Sequence, residues 1–161
     1  MLYLLDANVI IRAHEDYYPL DRVRPFWDWL LTEAEAGHVK IPLEICIEIT
    51  PARGPLKDWI NDSEVKDLLI LDEEVDRGVF NQVIDTAYAP DLADHELDEA
   101  GQDPFLVAYG MMSPKRAIVT KEVSQTTKQR GRRKLPDACN MMNVPWMTDF
   151  QFYKERNFHI P

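Results

Sequence analysis

Five short apolar runs alternate along the chain with longer segments whose apolar residues return every three or four positions. The runs are Leu2 to Leu5, Val39 to Ile41, Leu68 to Leu71, Ala117 to Thr120 and Val144 to Met147. Each is too short for a helix and lacks the in-and-out alternation of a half-exposed strand, so each reads as a strand buried on both faces. Between them, Asp21 to Ala36 sets Val23, Phe26, Trp27, Leu30, Leu31 and Ala34 on one helical face and stops at Gly37. Further helices are expected over Leu43 to Ile49 behind Pro42, over Leu56 to Lys66, over Glu73 to Ala87, over Phe105 to Met112 behind Asp103 and Pro104, and from Asp149 onward. Pro51, Gly54 and Pro55 interrupt the pattern, and an acidic loop is expected from Ala87 to about Gly101.

Strands alternating with amphipathic helices imply right-handed crossovers and a mainly parallel, Rossmann-like sheet covered on both faces, a three-layer α/β/α sandwich of the α/β class. Its 161 residues suit one domain spanning 1–161, long enough to bury roughly two-thirds of its unfolded surface. At 45% hydrophobic and 29% charged, it is neither disordered nor fibrous. The opening MLYLLDANVI has neither a basic segment nor a long apolar run, so a secretion signal and a membrane span are not expected and the location is read as cytoplasmic. Cys46 and Cys139 form no CxxC pair, lie among apolar neighbours and read as buried free thiols.

In parallel sheets ligands bind at the carboxyl ends of the strands, and there the acids are suggestive. Asp6 ends the first strand, Glu48 lies in the helix after the second, Asp103 opens the helix before the fourth, and Glu122 follows the fourth. Carboxylates gathered at one sheet edge repel one another unless a cation neutralises them. Oxygen ligands without paired Cys or His point to Mg²⁺ or Mn²⁺. Such a site can activate water for in-line hydrolysis of a phosphodiester. Asp6, Asp103 and Glu122 are the expected metal ligands, Glu48 a further ligand or base. Asn8 and Thr120 are placed to hydrogen-bond the ligating carboxylates. Asp94, His95, Glu96, Asp98, Glu99 and Asp137 are more simply read as solvated or structural, and the four histidines show no ligand spacing.

A formal charge of −10 opposes binding to a polyanion. The charge is segregated, however. From Lys121 to Lys134 six basic residues face the single acid Glu122, so the rest of the chain carries −15. Lys121, Lys128, Arg130, Arg132 and Arg133 are therefore the candidate nucleic-acid contacts.

The motifs LLDANVII, LEICIEI, DPFLVAYG and AIVTKE, in this order over almost the whole chain, resemble the acidic motifs of the PIN domain family, and most closely those of the VapC toxins of toxin-antitoxin pairs. The resemblance implies a metal-dependent endoribonuclease, a homodimer and, for a type II toxin, an antitoxin partner. It carries over to Asp6, Glu48, Asp103 and Glu122. Two departures stand out. The family has Asp shortly after the Thr of AIVTKE, where this chain places Glu122, and Glu44 lies one helical turn before Glu48 and competes for its place. The competing reading is a PIN-like module that binds RNA or protein with weak or no cleavage. Haloacid dehalogenase chemistry needs a second Asp where Asn8 stands, and a receiver domain needs an Asp at a middle strand end, where only Asp72 offers itself.

Overall fold

A computed structural model describes residues 1–49 and 53–161. The expected break at Pro51 lies outside these residues. Four strands form one all-parallel sheet in the order β2-β1-β3-β4. They are β1 (Leu2–Leu5), β2 (Val39–Lys40), β3 (Arg116–Val119) and β4 (Trp146–Met147). Among the described residues ten α-helices flank them, giving the three-layer α/β/α sandwich. Helices α1 (Ala7–Arg12) and α2 (Arg24–Glu35) join β1 to β2. The long crossover from β2 to β3 holds α3 (Leu43–Ile49), α4 (Pro55–Asn61), α5 (Ser63–Leu69), α6 (Arg77–Val83), α7 (Asp94–Ala100) and α8 (Asp103–Met111). Helix α9 (Leu135–Met141) leads to β4, and α10 (Asp149–Glu155) follows it. None of the described helices is long and apolar enough to cross a membrane.

Two helices dominate the packing. The face of α2 made by Phe26, Trp27, Leu30 and Ala34 is buried. Phe26 stacks on Tyr18 and meets Tyr153 and Phe158, while Tyr3 of β1 touches Phe152 of α10. The aromatics of this helix therefore serve the core, as their spacing suggested. On the other face α8 is apolar around its whole circumference, as a helix enclosed by protein must be. Leu106, Val107, Ala108, Tyr109 and Gly110 are all buried. Gly110 is required by proximity: a Cβ there would sit 2.7 Å from Val144 Cγ1 and 3.2 Å from Ile118 Cδ1. Cys46 and Cys139 are buried and free.

Four expectations need correction. Leu68 to Leu71 is not a strand; α5 runs through Leu69, and only a single bridge joins Ile70 to Ile41. The Asp62 carboxylate accepts from the N–H groups of Glu64 and Val65, and this cap starts a helix in which Val65 and Leu69 share a face. A short apolar run satisfies both patterns, and the cap decided it. The same Asp62 splits the expected helix over Leu56 to Lys66 into α4 and α5. The acidic stretch after Leu92 is also not a loop. It forms α7, opened by Glu96 accepting from the Ala93 N–H at 3.2 Å and closed by Gly101 at φ +59°. Similarly α6 begins only at Arg77, where the Asp76 carboxylate accepts from the Val79 N–H, and it continues as a π-helical turn from Ile84 to Tyr88.

Candidate functional site

Register brings the first two groups of the site together. In the β1 and β3 ladder Leu4 pairs with Ile118 and Leu5 with Val119, and the Asp6 N–H continues it to the Val119 carbonyl at 2.9 Å. Asp6 and Thr120 thus stand side by side one step past the strand ends. Arg116 and Ile118 face α8, Arg116 through a 2.8 Å bond to the Tyr109 carbonyl, and the two-residue alternation sends Thr120 to the same side. The Thr120 hydroxyl donates to Asp6 Oδ2 at 2.8 Å and accepts from the Glu122 N–H at 3.1 Å. Asn8 lies 3.5 Å from that hydroxyl and accepts from the Lys121 N–H at 3.1 Å. Thr120 thus bonds a carboxylate directly, whereas Asn8 reaches the Thr120 hydroxyl and the Lys121 N–H instead. Asp6 occupies the N-cap position of α1 but makes no capping bond with its side chain; the carboxylate is turned toward Thr120 instead.

Electrostatics tie in the other acids. Burial, with help from Glu122 and Glu48, pushes the Asp6 carboxyl up to about 7. Asp6 is 4% exposed and cannot shed its charge into water. Asp103 is raised well above the carboxylate range by desolvation first, then by Asp6, Glu122 and Glu48, with Lys134 opposing. Glu48 is raised by desolvation and by Glu122, while a 3.2 Å bond from the Gln102 N–H works the other way. The four acids thus lie within one another's fields. Glu44 does not join them: it meets the Tyr109 hydroxyl at 3.1 Å. Asp103 does not cap α8, since Gln102 holds the N-cap position and no side-chain cap bond is made. Asp137 is also spoken for, accepting from Ser124 Oγ and from the Gln125 N–H.

A cleft of about 390 Å³ opens on two of the acids. It is lined by Glu99, Asp103 and Glu122 together with Lys128, Gly131, Arg132, Arg133 and Lys134. Two of the expected RNA contacts are absent from this lining. Lys121 points away, paired with Asp149 at 3.0 Å and lying over the rings of Tyr17 and Phe150. Arg130 is committed to Glu96 at 2.6 Å and Asp91 at 2.9 Å. Their charges are satisfied inside the protein, which a count of basic residues does not reveal. Glu122 is held at both oxygens, accepting from the Leu135 N–H at 3.0 Å and lying 3.8 Å from Lys134.

Two buried neighbours of the acids carried no sequence signal. Cys139 is fully buried, its thiol pushed up by desolvation and by Asp103, Asp6 and Glu122. Tyr88 is 4% exposed, and its buried hydroxyl has no hydrogen-bond partner among the described residues. The same three acids and Cys139 raise it, after desolvation. Only folding brings the π-helical turn that carries it against α9.

The family described as Domain of unknown function (DUF4411) matches residues 3–160. The chain belongs to this family. No curated protein and no solved structure matches it significantly. Within this DUF4411 chain the donor set suits a hard divalent cation: four carboxylates, Asp6 buried and Asp103 half-buried at a cost that a positive charge would relieve, beside a hydroxyl in need of a partner. Among the described residues no three His, Cys, Asp or Glu side chains stand together as a finished cage. A Mg²⁺-type ion does not require one, since one or two carboxylates suffice and water completes its octahedron.

Proposed function

We propose that this DUF4411 chain is a Mg²⁺- or Mn²⁺-dependent endoribonuclease of PIN-like type that hydrolyses RNA phosphodiester bonds, and that it acts as the toxin of a type II toxin-antitoxin pair. One observation carries the nuclease reading: acids from four separate segments share one electrostatic field beside a cleft lined by two of them and by four cationic side chains. The homodimer, the antitoxin and the cytoplasmic location rest on the resemblance of the four motifs and on the expectations drawn from the chain.

When bound, the ion lowers the pKa of a coordinated water and offsets charge on the leaving oxygen. Asp6 and Asp103 would hold it, with Glu122 reaching in from the loop after β3. Thr120 fixes the Asp6 carboxylate through its 2.8 Å bond. Asn8 anchors the turn that carries Glu122 by accepting from the Lys121 N–H. Glu48, exposed and with a raised affinity for protons, is the group that can take the proton of the attacking water. Lys128 and Arg132 bind and orient the phosphate chain.

A second reading has its own support. Both oxygens of Glu122 are engaged by α9 and Lys134, which favours a PIN-like module that binds RNA or protein with little cleavage. Calorimetric titration with Mn²⁺ and an RNA cleavage assay separate the two. Wild type should bind Mn²⁺ and cleave, and Asp6→Asn and Asp103→Asn should bind weakly and not cleave. Cleavage that persists in either variant would reject the assigned site.

A further inference from the structure

The segment just before α9 is fastened to α7 by two consecutive residues. Arg130 holds Glu96 through two bonds, Nε to Oε2 at 2.6 Å and an Nη to Oε1 at 3.0 Å. It reaches Asp91 through its side chain at 2.9 Å and its carbonyl at 3.2 Å. The planar, two-pronged guanidinium geometry makes such pairs directional as well as strong. Arg130 does this from φ +56°, a backbone region that non-glycine residues rarely occupy. Gly131 is buried so closely on α7 that a Cβ there would stand 2.3 Å from the Glu96 carbonyl oxygen. Ion pairs, backbone conformation and a side-chain-free contact therefore converge on one turn.

The residues on either side of this turn face the cleft. Lys128, Arg132, Arg133 and Lys134 line it together with Asp103 and Glu122, and Arg130 does not. Arg133 is partly occupied by the Ala87 carbonyl at 3.0 Å and Lys134 leans toward Glu122. Lys128 and Arg132 form no ion pair among the described residues. On a chain with a charge of −10, two unneutralised cations aimed at one cleft suit a polyanion's phosphates.

We propose that Arg130 is a positioning residue, a clasp that locks the turn onto Glu96 and Asp91 of the α7 region so that Lys128 and Arg132 stand as a phosphodiester-binding wall in the cleft they share with the acids, with a single strand of RNA as the occupant. This rests on the nuclease reading for the choice of occupant, but it is tested by binding and not by cleavage. A residue that contacted phosphate directly would respond in the opposite sense to loss of its carboxylate partner.

The test is fluorescence anisotropy with a labelled single-stranded RNA and the matching DNA, on the full chain carrying Asp103→Asn, with Mg²⁺ present. Adding Glu96→Gln should weaken RNA binding about tenfold, because the wall loses its anchor; tighter binding would mean that Arg130 had been released to grip RNA itself, and would overturn the clasp. The exchange Arg130→Glu with Glu96→Arg should recover most of the loss, and failure to recover would also overturn it. Should Glu96→Gln fail to fold, Asp91→Asn removes one exposed partner and should weaken binding in the same direction, with unchanged affinity counting against the clasp. Lys128→Ala and Arg132→Ala should each flatten the dependence of log affinity on log salt by about one, and an unchanged slope for both would overturn the wall. Equal binding of RNA and DNA would keep the clasp and overturn RNA as the occupant. Loss of cleavage in Asp6→Asn with intact RNA binding would bear on the nuclease reading alone.

Discussion

Asp6 is a carboxyl that the fold would sooner keep protonated. Desolvation, then the neighbouring acids, lifts it from 3.8 to about 7, so between those values the native state binds more protons than the unfolded chain. Its contribution to stability is whole below about pH 4 and is lost as pH rises through 7. Thermal unfolding of the metal-free protein should therefore show the difference between wild type and Asp6→Asn growing over this range, with Asp6→Asn the more stable at pH 8. Mn²⁺ should narrow that gap by stabilising the wild type, and its binding should release protons into a weak buffer near neutrality. A flat difference from pH 4 to 8 would show that Asp6 ionises freely. Thr120, fully buried, is the companion test. Thr120→Val removes the side-chain donor to Asp6 and should lower Mn²⁺ affinity about 10- to 100-fold, read by calorimetry. Tyr88→Phe should leave the melting temperature of the metal-free protein nearly unchanged, since the hydroxyl has no partner to lose.

At the scale of elements, the positions of Asp6 and Thr120 were legible because a buried strand ending in a polar residue marks its own carboxyl edge, and parallel register did the rest. What was not legible depended on partners far along the chain. Lys121 and Arg130 carry the same charge as Arg132, and only the fold brings Asp149 to one and Glu96 to the other. The strand expected at Leu68 to Leu71 gave way to a local cap at Asp62, which a count of apolar residues does not weigh. Two glycines test the packing of elements separately. Gly110→Ala should cost about 1–3 kcal/mol in urea unfolding, because its methyl would press Val144 and Ile118 between α8 and the sheet. Gly131→Ala meets backbone at 2.3 Å and cannot be relieved by a side-chain rotation. It should lift the basic turn off α7 and reduce RNA affinity more than it lowers the melting temperature.

For the whole molecule, the α/β class and the parallel sheet followed from alternation alone, whereas toxin action depends on a cell. Induced expression should arrest growth with wild type and not with Asp6→Asn, and growth unaffected by wild type would count against a toxin. The Thr120 hydroxyl closes on Asp6 across 114 positions, with β3 completing the sheet beside β1 only after the long crossover has been made. On a ribosome this orders events. A nascent chain carries Asp6, Glu48 and Asp103 long before it carries Thr120 and Glu122, yet those early acids have no common wall to converge on. Premature termination anywhere in the crossover would leave a fragment without Thr120 and Glu122, so the proposed hydrolysis begins only once β3 and the loop after it have been made.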